Sequence, residues 1–132
     1  NVKLFRVGEM YLIRAEAEVE QNASAGIDAA NKDLNDLRTA RINNYVHQNI
    51  TSKQAVVEAI YLERFKELAF EGHRFYDLKR RNSPIERLPQ DLTDVITINK
   101  LTNAEAQYCF PITVDEMSVN KNMIQNPFYS LK

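Results

Sequence analysis

The chain has 132 residues, 44% of them hydrophobic and 27% charged, a composition that suits one folded core and not a disordered segment. Seventeen Lys and Arg stand against eighteen Asp and Glu, so no long-range field favours nucleic acid or an anionic membrane as a partner. The single cysteine, Cys109, excludes an internal disulfide and a thiolate metal cluster. Between Tyr108 and Phe110, with no neighbouring histidine, it is expected to be a small buried hydrophobe and not a nucleophile.

No apolar run is long enough to cross a bilayer, and Asn1-Val2-Lys3-Leu4-Phe5 looks like neither a signal peptide nor a translation start. A helix that opens this abruptly is what a fragment of a longer protein would show. From Phe5 to about Gln21 the spacing predicts that helix, with Val7, Met10, Tyr11 and Ala17 in one apolar stripe and Glu9, Glu16 and Glu20 facing water. Arg14 and Glu18, four residues apart, share the apolar side, so Arg14 is expected to be ion-paired and partly buried.

Asn22-Ala23-Ser24-Ala25-Gly26 reads as a turn, and Ala23, Ile27, Ala30, Leu34 and Leu37 then recur every three or four residues, as in a helix burying a narrow seam. Asp28, Lys32 and Asp36 lie on its outer face as spaced ion pairs. So short a connection makes the two helices an antiparallel hairpin over residues 1–41. The pair resembles one tetratricopeptide unit, without the usual Trp-Leu-Gly signature.

Residues 42–50 form a polar connection around Tyr45 and His47. Thr51-Ser52-Lys53-Gln54 then matches a capping box, which predicts a third helix from Ser52 to about Glu71. Gly72 ends it or bends the chain before a shorter helix from Arg74 to about Arg80, so residues 51–81 form a helical core segment. Ser83-Pro84 closes that block. Residues 82–132 are loop-rich: Val95-Ile96-Thr97-Ile98 and Tyr108-Cys109-Phe110 are candidate extended pieces, and Thr113 to Val119 is a helical turn capped by Thr113. The Asn-rich tail is expected to be irregular and held by Phe128 and Tyr129. The fold class is therefore all-α: a tetratricopeptide-like hairpin, further packed helices and an irregular tail with at most short extended segments.

Chemistry-bearing residues concentrate on the third helix. Val56, Val57 and Ile60 form its apolar side, but one turn later Glu63, Arg64, Glu67 and Glu71 occupy that side, while Tyr61, Leu62, Phe65, Leu68 and Ala69 lie opposite. Its second half is expected to be enclosed, charges included. Carboxylates four residues apart repel unless cations lie between them, and Arg14, Arg38, Arg64 and Arg74 are the candidates. We read Arg14, Glu18, Glu63, Arg64, Glu67, Glu71 and Arg74 as a structural ion network. The competing reading, Glu63 and Glu67 as a glycosidase pair, fails on geometry, because adjacent turns of one helix present both groups from the same side of a sugar. No catalytic residue is expected. His47 and His73 have no second ligand at metal spacing on their own elements, so neither a metal nor a cofactor is expected. Lys79-Arg80-Arg81 reads as a solvated helix end favoured by the dipole.

Glu9-Met10-Tyr11-Leu12-Ile13-Arg14-Ala15-Glu16-Ala17 and Leu34-Asn35-Asp36-Leu37-Arg38 resemble the paired-helix segment of the SusD/RagB family. The run Glu63-Arg64-Phe65-Lys66-Glu67-Leu68-Ala69-Phe70-Glu71-Gly72-His73-Arg74-Phe75-Tyr76-Asp77-Leu78-Lys79-Arg80 looks like its most recognisable stretch. Phe110-Pro111-Ile112, Glu116 and Gln125-Asn126-Pro127 with Tyr129 are similar to its closing motifs, in the same order. Departures are Thr113 where a second proline is usual, Phe128 where glycine is common, and Arg81-Asn82 after the long run.

The resemblance implies the C-terminal portion of a helical outer-membrane protein, displayed on the cell surface by a lipid anchor outside this chain. It implies a SusC-like TonB-dependent transporter as partner, and binding of glycan or another nutrient without chemistry. It also implies that most ligand-stacking aromatics precede this segment, so Phe65, Phe70, Phe75 and Tyr76 are expected in the core. Tyr45, Asn-flanked on a polar loop, is the aromatic singled out as a ligand contact. The competing expectation is a helical-repeat interaction scaffold with no ligand site in this segment.

Overall fold

The structure, a computed structural model, describes residues 5–21, 24–92 and 98–129. The readings that rest on Leu4, Ala23 and Val95-Ile96-Thr97 lie outside the described residues. The chain adopts the all-α class and divides into two compact units, Asn1–Arg74 and Phe75–Lys132.

In the first unit α1 (Val7–Gln21), α2 (Ala25–Thr39) and α3 (Lys53–Glu67) pack around Leu12, Ala15, Val19, Ala30, Leu34, Leu37, Val56, Val57 and Ile60. The face of α1 that is buried is Gly8, Leu12, Ala15 and Val19. This corrects the stripe read from the sequence: Val7 is 74% exposed, and Met10 and Ala17 also face outward. Close helix packing selected the small side chains, because Gly8 and Ala15 let neighbouring elements come near where larger residues would hold them off. The same holds at Gly26 on α2, where an added Cβ would lie 2.7 Å from the carbonyl carbon of Glu18 on α1 and 3.1 Å from the Cα of Val19. The two backbones meet there with no side chain between them. On α2 the predicted seam is present: Ala30, Leu34 and Leu37 are buried and Ile27 packs against them.

Helix α3 begins as the capping signal implies, with the Ser52 hydroxyl accepting the Ala55 N–H. It stops at Glu67, four residues before the predicted end. The chain then turns through two left-handed residues, Phe70 (φ 63°) and Gly72 (φ 81°), and α4 (His73–Arg80) follows. Glycine adopts that region without cost, whereas phenylalanine does so rarely. The expected enclosure of α3's second half is also corrected. Phe65 is 52% exposed, Leu62 51% and Phe70 entirely exposed, because the inward track after Ile60 runs through Glu63, Arg64 and Leu68.

In the second unit β1 (Ile85–Glu86) pairs antiparallel with β2 (Lys100–Leu101), Ile85 opposite Leu101. Single 3₁₀ turns occupy Pro89–Asp91 and Ala106–Tyr108, and α5 (Val114–Val119) is capped by the Thr113 hydroxyl, which accepts the Glu116 N–H. Tyr108 is therefore in a turn and not in an extended piece. It is buried, and its hydroxyl donates to the Ser83 carbonyl at 2.7 Å. Cys109 is exposed, contrary to expectation, with the Lys79 ammonium 3.7 Å from its sulfur. The tail is held by amides more than by aromatic rings. Gln125 accepts from the Ile112 N–H at 3.0 Å and donates to its carbonyl at 2.8 Å, and Asn126 donates to the carbonyls of Ala106 and Cys109 at 2.7 and 3.1 Å. Of the aromatics of this unit expected in the core, Phe75 is half-buried against Phe110 and Tyr76 is exposed.

Candidate functional site

The charges singled out on α3 separate into distinct groups. Glu63, buried, accepts from Arg38 Nε of α2 at 2.7 Å. Burial works against the Arg38 charge, but hydrogen bonds to Tyr45 and Glu63 outweigh it and raise the guanidinium above its ordinary value. One turn on, Glu67 faces a different pair of cations. Arg41 donates to its carboxylate twice, at 2.8 and 3.1 Å, and Arg6 donates to the carboxylate at 2.7 Å and to the main-chain carbonyl at 3.1 Å. The Arg41 hydrogen bonds, aided by Arg6, hold the Glu67 carboxyl below the usual range, against the opposing effect of burial. Arg6 also pairs with Glu71. A general acid needs the opposite shift, so this setting does not favour Glu67 as a proton donor.

The remaining predicted members lie elsewhere. Arg14 forms a two-point pair with Asp33 of α2, at 2.7 and 2.6 Å, and not with the exposed Glu18. More than half of its side chain is exposed. Arg64 is buried, and the Arg74 guanidinium lies 4.8 Å from the Phe65 ring centroid, a cation–π contact. His73, at the start of α4, places Nδ1 3.6 Å from the Glu9 carboxylate. Sequence reasoning missed Arg6, Arg41 and Asp33. One signal was available in Gly8: a Cβ there would sit 2.5 Å from Glu67 Oε1, so the glycine reserves room for that carboxylate.

Lys79-Arg80-Arg81 is not simply a solvated end. Lys79 lies 5.5 Å from the Phe75 ring centroid and 5.8 Å from that of Tyr108, and Arg80 pairs with the buried Asp77 at 3.0 Å.

The polar connection after α2 is held by side-chain amides of that helix. Asn31 donates to the Ile50 carbonyl at 2.7 Å and accepts its N–H at 3.1 Å, and Asn35 does the same for Gln48 at 2.9 and 3.0 Å. Four residues of helix advance about 6 Å. Two residues of extended chain advance about 6.6 Å. Asparagines four apart therefore meet every second residue of an extended segment in register. Both are buried, and their amides do for this segment what a neighbouring strand would do.

Tyr45 is half-buried, and its hydroxyl donates to Asn35 at 2.9 Å, so it is less free than its loop position suggested. His47 beside it is exposed, its ring 6.0 Å from that of Tyr45 and its Nε2 3.2 Å from the Thr39 hydroxyl. Between α2 and this segment lies a cleft of about 320 Å³, lined by Asp28, Asn31, Lys32, Asn35, Asp36, His47, Gln48 and Asn49. In the second unit an apolar groove of about 530 Å³ is lined by Pro111, Ile112, Val114, Met117 and Tyr129 among others. Among the described residues no three His, Cys, Asp or Glu converge as metal ligands, and no helix is long and apolar enough to cross a membrane.

The SusD family model matches residues 1–129. No curated protein sequence matches the chain. A crystal structure of a SusD superfamily protein from Bacteroides vulgatus ATCC 8482 aligns with it at a TM-score of 0.75 and 28% identity, over 97% of this chain and 28% of that one. The chain thus spans less than a third of the length of that relative.

Proposed function

The chain belongs to the SusD family, whose members bind glycans and other nutrients without catalysis, and from that premise we propose that it is part of a cell-surface protein that captures glycan. The captured ligand passes unaltered to a SusC-like TonB-dependent transporter in the outer membrane, and the protein is held there by a lipid anchor outside this chain. The observation that carries the reading is the family match over residues 1–129. The pinned state of Glu67 and the separate burial of Glu63 against Arg38 support binding without hydrolysis. Isothermal titration of the full-length protein against a panel of neutral and acidic glycans tests the proposal. Saturable binding with no shortened products is the expected result, and no heat with any glycan would overturn it.

A second reading is favoured by the exposed apolar side chains Leu62, Phe65 and Phe70 of the first unit: this segment serves as a helical scaffold that docks a protein. Loss of a co-purifying membrane partner on Leu62→Ser, Phe65→Ser and Phe70→Ser, with glycan binding retained, would favour it. Retention of the partner would reject it.

A further inference from the structure

We propose that the cleft between α2 and the extended segment 45–50 is a subsite for one ring of a neutral saccharide. The proposal rests on the glycan-binding reading above and adds to it a place on this chain and a ligand class. At about 320 Å³ the cleft lies at the small end of the range of about 300–1,000 Å³ typical of small-molecule sites, which suits a single ring.

Its walls are fixed before any ligand arrives, because Asn31 and Asn35 hold Ile50 and Gln48 by four hydrogen bonds. Little ordering cost then remains to be met on binding. The lining alternates acceptors and donors: the Asp28 carboxylate, the Lys32 ammonium, the Asn49 amide and the His47 imidazole. A carboxylate can accept both hydroxyls of a vicinal pair, and amides and imidazole can donate to a ring oxygen or accept a further hydroxyl.

Charge selects among polar ligands. Lys32 donates to Asp36 at 2.6 Å, so those two cancel, and Asp28 leaves the cleft with one net negative charge. A phosphate, sulfate or uronate would meet that charge while the lining's cation, Lys32, is already engaged by Asp36, whereas a neutral polyol would use Asp28 as an acceptor. The hydrogen bond between the Thr39 hydroxyl and Nε2 restrains the His47 ring at the edge of the cleft that it lines.

The test uses the full-length protein labelled at histidine, with the His47 resonance assigned by its loss in His47→Ala. Neutral methyl hexosides and a neutral oligosaccharide are titrated by calorimetry, which reads binding anywhere, and by the His47 signal, which reads this cleft. Glucuronate and inorganic phosphate are the anionic probes. The expected result is saturable heat with a neutral saccharide, a shift of His47 over the same concentration range, and at least tenfold weaker saturation of that shift in Asp28→Asn. Asp28 is exposed, so an unchanged melting temperature checks that this variant folds. Heat with an unmoved His47 signal overturns the subsite and leaves glycan binding standing. No heat and no shift overturn both. A His47 shift with glucuronate or phosphate but not with neutral sugars overturns the ligand class.

Discussion

Between α1, α2 and α3 the chain is ordered by one apolar cluster, to which α1 gives Leu12 and Val19, α2 Leu34 and α3 Val56 and Ile60. In residues 75–129 the buried hydrophobic side chain among the described residues is Tyr108, and much of the chain is held by single side chains reaching main-chain groups: Tyr108 to Ser83, Gln125 to Ile112, Asn126 to Ala106 and Cys109. Such a cluster is cooperative, because removing one side chain loosens the packing of all its neighbours. Isolated hydrogen bonds each act on one turn, so the second unit is expected to open piecemeal and at lower free energy than the first.

The largest effect is expected at the Arg38–Glu63 ion pair, which is nearly buried between α2 and α3. Glu63→Ala leaves Arg38 buried without its carboxylate and is expected to cost the first unit about 3–5 kcal/mol in denaturant unfolding. A loss of under about 1 kcal/mol would show that water reaches the pair. Next is Gly26→Ala, which forces the α1 and α2 backbones apart at Glu18 and is expected to cost about 1–3 kcal/mol by thermal unfolding. In the second unit Tyr108→Phe removes one donor to the Ser83 carbonyl. The expected cost is about 0.5–1.5 kcal/mol, seen as faster amide exchange near residues 83 and 108 with no change among α1 to α3.

Acid acts on the first unit through Glu67. Glu67 is held below its ordinary value near 4.5, so its contribution is complete above that pH and is lost as pH falls below it, through the depressed folded value. The first unit should therefore weaken below about pH 4.5 more steeply in the parent than in Glu67→Gln, as followed by melting temperature against pH. Smallest and opposite in sign is Phe70→Gly. Phe70 is wholly exposed in a left-handed conformation, and the change is expected to raise stability by about 1 kcal/mol at most.

What could be read from the residues follows the same division. The α2 seam, the Ser52 cap and the Thr113 cap were legible because each depends on spacing within one element. The buried face of α1 was not, because Gly8 and Ala15 carry little hydrophobicity and matter through the closeness they permit. The end of α3 was misplaced because Leu68-Ala69-Phe70-Glu71 reads as helix, and the left-handed turn at Phe70 leaves no trace in residue type. Which arginine meets which glutamate is a property of three-dimensional approach. Arg6 precedes α1 and Arg41 follows α2, far in sequence from Glu67. Asn31 and Asn35 did offer a signal, since two asparagines four apart inside a helix are poor choices for the helix itself and imply work for another segment.

Because those two asparagines grip Gln48 and Ile50 by their main-chain groups, the hydrogen bonds that set the path of the segment do not involve the side chains at positions 47 and 49. Those two positions share a side of the extended chain and line the cleft. A set of proteins sharing the frame could differ at His47 and Asn49 and so acquire new preferences without rebuilding the loop that displays them.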